Sequence, residues 1–484
     1  MTGGLEMTRI SRLQVGVLCI LLVACGTGTQ EPAQKMDEVM AEFARLDLFS
    51  GTVLVASGGD ITYARAFGEA NKDHHVANIL ESKFNIGSIG KTFTGVAIMQ
   101  LVERGKVELT SPVSRYLDGF PYGDSITIHH LLSHTSGMFN YMAHPDFRSQ
   151  MSRLRNIGDW LPLIYDQKLV FDTPGERFAY SNSGIVTLGA VVEKVTGVPY
   201  EEYIRTNILT PAGMTDTGIN YPEETTPHRA MGYTKSSSGS FTAAILQVPP
   251  ASADGGIETT VLDLLKFDRA LYGDSLLSEA SKEKMFTPNL ENYGYCWRIA
   301  VDNGHKTIGH GGGAPGVSAS FMRYPDDDVT IIVLSNYSGA ARQPAKALEA
   351  IVFGEEYEAP KPPLGEVVYR AMMDGKVDGT IEGLDALLEQ NDYEIRGPFE
   401  LNILGYELLG LGEVEMAIAV FKLNVSHFPK EPNTYDSLAD GYLTKGNCDQ
   451  AIELYRKALE VDPTFENSRQ MLERLTEGEG AAGS

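Results

Sequence analysis

Hydrophobic and polar positions divide the chain into two regions with different periodicities. Between about Met36 and Glu355, short apolar runs such as GTVLVAS and VTIIVLS alternate with longer segments in which apolar residues recur every three or four positions. The short runs predict β-strands, and the longer segments predict amphipathic helices. Beyond Glu366 only the helical spacing remains. The pattern therefore predicts an α+β domain followed by an all-α region.

Two predicted hairpins mark the ends of the first region. GTVLVAS and ITYARAFG flank GGD near its beginning, and SASFMRY and VTIIVLSN flank PDDD near its end. Short turns of Gly or Asp between β runs are typical of hairpins. Helical patterns lie between them, such as Gly184 to Val195, which Gly197 ends. Strands at both ends of this region predict one antiparallel sheet to which both ends contribute. A helical region is inserted between them.

One predicted helix combines a buried pattern with a charge. In FNIGSIGKTFTGVAIMQLVERG, from Phe84 to Gly105, nearly every position after Phe93 is apolar, as in a helix that lies inside a domain. Burying the Lys91 ammonium is costly unless the protein uses it. Ser88 lies one turn earlier on the same face, so the amine can activate its hydroxyl as a nucleophile, and the helix N-terminus favours negative charge on the oxygen. Taken alone, this spacing is more often an N-cap serine and a lysine that reaches solvent.

Two further motifs supply groups that such a nucleophile needs. ERFAYSNSG places Tyr180 and Asn182 two residues apart before a helix. A tyrosinate near a lysine can act as a general base, and the asparagine can hydrogen-bond the lysine and the substrate. KTIGHGGGAPGVSASF places His310 at a predicted strand end, before three glycines. Glycines there allow a substrate backbone to approach closely, and a free N–H can bind an oxyanion.

Together these motifs resemble the serine β-lactamase and penicillin-binding-protein-like superfamily, and most closely its class C-like, S12 peptidase branch. LLSHTSGM and YSNSGIVTLGAVVEKVTG are also similar to that branch, and the resemblance covers about Met36 to Phe353. It implies an α+β fold with an antiparallel sheet flanked by helices and a helical subdomain, an acyl-enzyme, and no metal or organic cofactor. The site residues that it implies are catalytic Ser88, Lys91 and Tyr180, with Asn182, His310, Gly312 and Gly313 at the substrate and the N–H groups of Ser88 and Gly313 as the oxyanion hole.

Four nearby residues are interpreted as structural. His134, Ser136 and Gly137 belong to the SHTSG turn of that branch, and nothing in the sequence links them to the nucleophile. Asp254, in ADGGIETT, is interpreted as a turn residue rather than a catalytic acid.

The substrate class depends on His310. Penicillinases and transpeptidases of this superfamily usually have Lys-Thr-Gly there, whereas His-Gly-Gly keeps a possible cation and loses the hydroxyl. In relatives this arrangement is similar to D-aminopeptidases, peptidases and some esterases. Three hypotheses follow: a hydrolase of D-amino-acid peptides or related amides of the cell envelope, a carboxylesterase or weak β-lactamase, and a penicillin-binding sensor or repeat scaffold without turnover.

The C-terminal region carries a repeat. At an offset of 34 residues, Leu404 aligns with Leu438, Ala417 with Ala451, and Pro429 with Pro463. Small, large and terminating residues at these positions are typical of tetratricopeptide repeats, which stack helix pairs and often bind a peptide. We therefore predict a linker over 356–366, tetratricopeptide-like repeats over 367–475 that bind a peptide or only stabilise the protein, and a flexible tail over 476–484.

The N-terminus predicts export. Arg9 and Arg12 precede the short apolar run VGVLCILLVA, which ends in LVAC. This resembles a bacterial lipobox, in which Cys25 receives lipid; an ordinary secretory signal is the alternative, and Met7 can be the true start. The predicted boundaries are a signal peptide over 1–24, a linker over 25–35 and the hydrolase domain over 36–355, on a protein anchored by lipid to a bacterial membrane and facing the periplasm or the exterior.

Composition narrows the partners. The net charge is −24, with 40 basic and 64 acidic residues, which argues against nucleic acid as a partner. Cys296 and Cys448 lie far apart, so no disulfide framework is predicted. The adjacent pairs His74–His75 and His129–His130 do not have the spacing of a zinc site. The predicted partners are a small-molecule or peptide substrate, a possible protein or peptide at the repeats, and a membrane.

Overall fold

The fold is taken from a computed structural model that describes residues 30–219, 224–244, 252–375 and 380–482. The strands are β1 Gly51–Ser57, β2 Asp60–Phe67, β3 Glu69–Asn71, β4 Val76–Ala77, β5 Phe84–Asn85, β6 Gly218–Ile219, β7 Gly232–Lys235, β8 Phe241–Ala244, β9 Ile257–Thr259, β10 Arg298–Asp302, β11 His305–Ala314, β12 Val317–Tyr324 and β13 Val329–Ser335. The helices of the first region are α1 Gln30–Arg45, α2 Gly90–Glu103, α3 Ile128–Leu132, α4 Phe147–Gln150, α5 Ile157–Tyr165, α6 Asn182–Thr196, α7 Tyr200–Ile204, α8 Thr210–Ala212, α9 Val261–Tyr272, α10 Glu279–Met285 and α11 Arg342–Phe353. The C-terminal helices are α12 Leu364–Met373, α13 Ile381–Gln390, α14 Phe399–Gly410, α15 Val414–His427, α16 Pro432–Thr444, α17 Cys448–Val461 and α18 Glu466–Ala482.

The main sheet joins the two ends of the first region, as the hairpins predict. Its six strands are ordered β10-β11-β12-β13-β1-β2, and all neighbouring pairs are antiparallel. The central contact pairs the first strand with the last, with Val53 opposite Val333. The prediction of one antiparallel sheet completed by both ends is confirmed.

Both faces of the sheet are covered at β1 and β13, which explains why these two strands are apolar without alternation. On β1, Val53 and Val55 pack into a core with helices α1 and α11, whereas Leu54 and Ala56 pack into a larger core on the other face. Successive side chains of a strand point to opposite faces, so a run such as GTVLVAS contributes to both cores. The larger core includes α2, the helix that carries the candidate nucleophile.

The elements of the C-terminal region are all helices among its described residues. Helices α14 to α18 pack on one another in chain order, with their own apolar clusters. Positions that the repeat pattern assigns to the interior are fully buried, among them Ala417, Phe421, Ala451 and Tyr455. The helical prediction is confirmed, and the assignment to tetratricopeptide repeats stays a prediction.

Three predicted segment boundaries differ from the structure. Residues 30–35, predicted as linker, belong to helix α1. Helix α12 begins at Leu364, inside the predicted linker, because Leu364 and Val368 contribute to the apolar cluster of the C-terminal region. Helix α18 continues to Ala482, so most of the segment predicted as a flexible tail is helical.

Polar contacts connect the two regions. The Lys235 ammonium of β7 lies 2.9 Å from the buried Glu366 carboxylate of α12. After that strand, the Ser237 N–H donates to the Glu407 carboxylate of α14 at 2.7 Å.

Cys296 and Cys448 are both free thiols. Within the described ranges, no helix combines the length and the apolar character that crossing a membrane requires.

Candidate active site

Ser88 and Lys91 lie where the chain enters the buried helix α2. Ser88 is part of a single 3₁₀ turn, Gly87–Ile89, that continues directly into α2, and it is partly exposed while both of its neighbours are buried. Lys91 is fully buried, and its Nζ donates a hydrogen bond of 2.9 Å to Ser88 Oγ. The predicted contact between amine and hydroxyl is therefore present, with the hydroxyl on the accessible side.

Asp254 forms the other side of the lysine environment. Its backbone oxygen accepts a 2.7 Å hydrogen bond from Lys91 Nζ, and its carboxylate lies 4.0 Å from the same nitrogen. The carboxylate also accepts a 2.8 Å hydrogen bond from the Tyr141 hydroxyl, and burial raises the pKa of Asp254. Asp254 does lie in a turn, but the sequence interpretation was incomplete because this turn holds the lysine against Ser88.

Tyr180 faces the same site from the segment before α6. Lys91 Nζ lies 5.2 Å from the centre of the Tyr180 ring, and the His134 ring lies 4.3 Å from that ring, centre to centre. His134 holds this segment, since its backbone oxygen accepts from Ala179 N–H at 2.8 Å and its Nδ1 accepts from Ser181 N–H at 3.3 Å. Burial, with the nearby Lys91 charge, lowers the pKa of His134 well below its usual value. His134 is structural, yet it supports Tyr180 directly, a link that the sequence did not show.

The rest of the SHTSG turn is also structural. The Ser136 hydroxyl accepts from Met138 N–H at 3.3 Å. Gly137 has φ of +72°, and a methyl group there would lie 2.8 Å from the Phe171 backbone oxygen. Only glycine satisfies both the left-handed backbone and this close approach.

His310 lies in the middle of β11, not at a strand end as predicted; the glycine run that suggested an end continues the strand to Ala314. The imidazole is buried, its Nδ1 donates to the Gly311 backbone oxygen at 2.6 Å, and its Nε2 accepts from the Tyr293 hydroxyl at 2.9 Å. Burial, helped by the Lys91 charge, lowers the pKa of His310 to about 3. The ring is therefore neutral at ordinary pH, and both nitrogens are engaged by the protein. His310 offers neither the cation nor the hydrogen bond to substrate that the motif suggested.

Gly312 and Gly313 bring an unpaired strand edge to the nucleophile. Strand β10 pairs with β11 only as far as Gly309, so among the described residues no strand pairs with the following ones on that side. A methyl group at Gly312 would lie 1.9 Å from the Ile86 oxygen and 3.4 Å from the Ser88 nitrogen, and one at Gly87 would lie 2.8 Å from the Gly313 nitrogen. The N–H groups of Ser88 and Gly313 thus lie at one close contact, where two donors can serve an oxyanion.

Asn182, the first residue of α6, contacts Met142 rather than Lys91, with which a hydrogen bond was expected. Its Nδ2 donates to the Met142 sulfur at 2.9 Å. Its Oδ1 is buried and has no hydrogen-bond partner among the described residues. A thioether is a weak acceptor, so most of the hydrogen-bonding capacity of this amide is unused.

Sequence reasoning missed Tyr141, Tyr293 and Met142, and it missed the contact of Asp254 with Lys91. The role of Asp254 toward Lys91 uses a backbone oxygen, for which residue type gives no signal, and the two residues are distant in the chain. The glycine pair after Asp254 was the available hint, because it allows close backbone approach: Gly255 packs against Gly90 at the start of α2.

The histidine pairs have local partners. His75 Nδ1 lies 2.9 Å from the Glu69 carboxylate, and His129 Nδ1 lies 2.8 Å from the Tyr295 hydroxyl. In the part of the chain that the structure describes, no three His, Cys, Asp or Glu residues are placed to hold a metal ion. Cys25 and the predicted signal segment lie outside the described residues.

Residues 33–354 match the family described as Beta-lactamase, which is well over half of the chain. The chain belongs to this family. The Beta-lactamase match runs from within α1 to the end of α11 and includes every candidate site residue named above except Cys25. Its fold of a helix-flanked antiparallel sheet and its membership of a serine-hydrolase family are thereby established.

Proteins similar to this chain include penicillin-binding proteins and an amidohydrolase. Penicillin-binding protein 4* of Bacillus subtilis is 34% identical over 340 residues, covering 65% of this chain and 75% of the relative. A penicillin binding protein from Bacillus halodurans is 33% identical in structure alignment, with a TM-score of 0.60 over 65% of this chain and 98% of that one. A D-stereospecific amidohydrolase from Streptomyces is 26% identical, with a TM-score of 0.58 over 67% of this chain and 99% of that one.

Proposed function

We propose that the protein is an exported serine hydrolase that forms an acyl-enzyme on Ser88 and hydrolyses amide or ester bonds. The observation that supports this most directly is the 2.9 Å contact between the buried Lys91 amine and the partly exposed Ser88 hydroxyl. A buried lysine in contact with an accessible serine is a nucleophile beside its base. The unpaired edge at Gly312 and Gly313 supplies donors for the oxyanion.

The proposed reaction has two stages. Ser88 Oγ attacks the carbonyl carbon while its proton passes to the Lys91 amine, which can act as base only in its unprotonated form, and the oxyanion is stabilised by the N–H groups of Ser88 and Gly313. The tetrahedral intermediate then collapses, and the leaving amine or alcohol takes a proton from Lys91 or Tyr180. Water attacks the acyl-enzyme in the second stage and gives a proton to the same base, which passes it to Ser88 Oγ as the acid leaves.

The substrate is proposed to be a D-amino-acid amide or peptide, or a related envelope substrate. The Streptomyces relative is a D-stereospecific amidohydrolase, which supports this class by analogy. The neutral His310 argues against strong selection of a β-lactam carboxylate, because it carries no charge and its nitrogens are already bonded. A carboxylesterase or weak β-lactamase with the same nucleophile is the second candidate, since ester and lactam carbonyls need the same oxyanion donors. A penicillin-binding sensor without turnover is the third.

A comparison of three substrates tests this choice. We expect kcat/KM for nitrocefin to be lower than for p-nitrophenyl butyrate and for D-alanine p-nitroanilide. A charge-assisted hydrogen bond contributes about 1 kcal/mol more than a neutral one, so losing it costs a β-lactam at least about fivefold. Nitrocefin turnover that exceeds both others by orders of magnitude would identify a β-lactamase instead. Ser88 acylation by penicillin with no turnover of any of the three would favour the sensor.

Lipid attachment at Cys25 is proposed from LVAC and the small and polar residues GTGTQ after it. We expect Cys25→Ser to leave the protein unprocessed or to release it from the membrane fraction of a bacterial host. Mass spectrometry and fractionation measure this. Stable anchoring needs more than one acyl chain, so the mature wild-type mass should show several. Unchanged mass and fractionation in Cys25→Ser would refute lipid attachment.

The C-terminal helices are proposed to form tetratricopeptide-like repeats that fold as a separate unit. Their apolar clusters exclude residues of the hydrolase domain, and the contacts at Lys235 and Ser237 are polar. A chain that ends after Glu355 is therefore expected to fold and to keep most of its kcat/KM on a small substrate. Circular dichroism and ester turnover of the shortened chain measure this. Aggregation or loss of the folded signal would show instead that the helices are an essential part of the hydrolase domain.

A further inference from the structure

The hydrogen bond between Asn182 and Met142 is unusual for a polar group at a candidate substrate site. Asn182 Nδ2 donates to the Met142 sulfur at 2.9 Å, and Oδ1 of the same amide has no partner among the described atoms. Buried amides normally pair with oxygen or nitrogen acceptors. Here the acceptor is a thioether, one of the weakest that a protein has. An amide held so weakly is available to an arriving substrate.

Met142 itself is both accessible and well positioned. The residue is 54% exposed, and its sulfur contacts the Asn182 amide. Its backbone is fixed in the 3₁₀ turn Tyr141–Ala143, where the Asn140 side chain accepts from Met142 N–H at 3.2 Å. The preceding Tyr141 binds the carboxylate of Asp254, whose backbone oxygen holds Lys91. The Met142 side chain is therefore held beside Asn182 while more than half of the residue is exposed to solvent.

We infer that Met142 is an oxidation-sensitive residue that controls substrate access to Asn182. This rests on the proposed function, in which Asn182 binds the substrate. A peroxide transfers one oxygen atom to the Met142 sulfur: the O–O bond breaks, the S–O bond forms, the sulfur loses two electrons, and water or an alcohol leaves. The product sulfoxide carries a strongly accepting oxygen in place of the thioether.

The consequence follows from the strength of the two acceptors. The sulfoxide oxygen binds Asn182 Nδ2 more firmly than the thioether does, so a substrate must displace a stronger hydrogen bond. Methionine sulfoxide is also larger and polar, which narrows the entrance at this position. Enzymatic reduction of the sulfoxide returns the thioether, so the loss is reversible. The predicted oxidant of Met142 is a small peroxide, with hydrogen peroxide as the simplest probe.

Treatment of the full chain with hydrogen peroxide tests the inference. Turnover of the best substrate is measured as Met142 sulfoxide accumulates, which peptide mass mapping quantifies. The matched control is Met373→Leu, since Met373 is similarly exposed at 48% but lies on α12, outside the site. Wild type and Met373→Leu should lose about fivefold or more of kcat/KM in step with Met142 oxidation. Peroxide treatment should leave the kcat/KM of Met142→Leu at the value that this variant has before treatment. Methionine sulfoxide reductase should restore the kcat/KM of oxidised wild type.

Labelling of Ser88 by a small fluorophosphonate distinguishes a failure of the proposed function from a failure of the inference about Met142. This probe reports the nucleophile and makes little use of Asn182, so its rate should fall less than turnover does. If untreated protein is not labelled at Ser88, the proposed function fails and the inference fails with it. If Ser88 is labelled and turnover is normal after complete Met142 oxidation, only the inference is overturned. Equal losses in Met142→Leu and wild type would also overturn it.

Discussion

Replacing Lys91 by methionine or alanine should lower kcat/KM by about 100-fold or more, the usual contribution of a general base. The amine lies 2.9 Å from Ser88 Oγ, and the turn at Asp254 holds it there. Methionine keeps much of the buried volume, so it separates loss of the base from loss of packing. Tyr180→Phe should also lose most turnover, because it removes the second group able to carry the proton. Initial rates on an activated ester measure each effect.

Lys266→Met is a suitable control for this experiment. Lys266 also pairs with a buried aspartate, Asp263, at 2.7 Å, but its own side chain is 45% exposed on α9. Thermal melting of all variants shows whether a loss of rate is a loss of folding. If folded Lys91→Met keeps rates within about threefold of wild type, Lys91 is not the base.

Adding one methyl group at Gly312 should have an effect of similar size. The methyl would lie 1.9 Å from the Ile86 oxygen. The backbone must move to relieve this steric clash. That movement separates the edge of β11 from the turn that carries Ser88. Loss of one oxyanion donor typically costs about 100-fold in kcat, so Gly312→Ala should lose at least that much.

Gly311→Ala is the matched control, because it adds the same methyl to the neighbouring position. There the nearest atom outside the adjoining residues is the Ala319 oxygen at 3.7 Å, an ordinary contact. Gly311→Ala should therefore keep most of its activity and its melting temperature. Equal activity of the two variants would show that the approach of β11 to Ser88 is not needed for turnover.

Local sequence patterns predicted much of the fold because they depend on neighbouring residues. The turns GGD and PDDD correctly indicated the hairpins β1–β2 and β12–β13, and the apolar run after Phe93 correctly indicated a buried helix. The glycine run after His310 gave a wrong prediction for the same reason. Glycine has low strand propensity, so the run suggested that the strand ends there. In the structure, pairing with β12 continues the strand through these glycines. Tertiary contacts decide such a position.

The site was predictable as far as it depends on residue type and spacing. The contact between Ser88 and Lys91 follows from one helical turn, and the structure contains it. The support that Asp254 gives to Lys91 through a backbone oxygen does not follow, since any residue has that oxygen. The lowered pKa of His310 also could not be predicted, because it results from burial and from the nearby Lys91 charge rather than from the motif.

The central claim is that Ser88 is the residue that becomes acylated. Incubating the full chain with a fluorophosphonate or a fluorescent penicillin, followed by peptide mass mapping, measures this directly. We predict a single adduct on the peptide that contains Ser88, formed much more slowly in Lys91→Met and absent in Ser88→Ala. An adduct on another residue, or labelling that persists in Ser88→Ala, would contradict this claim.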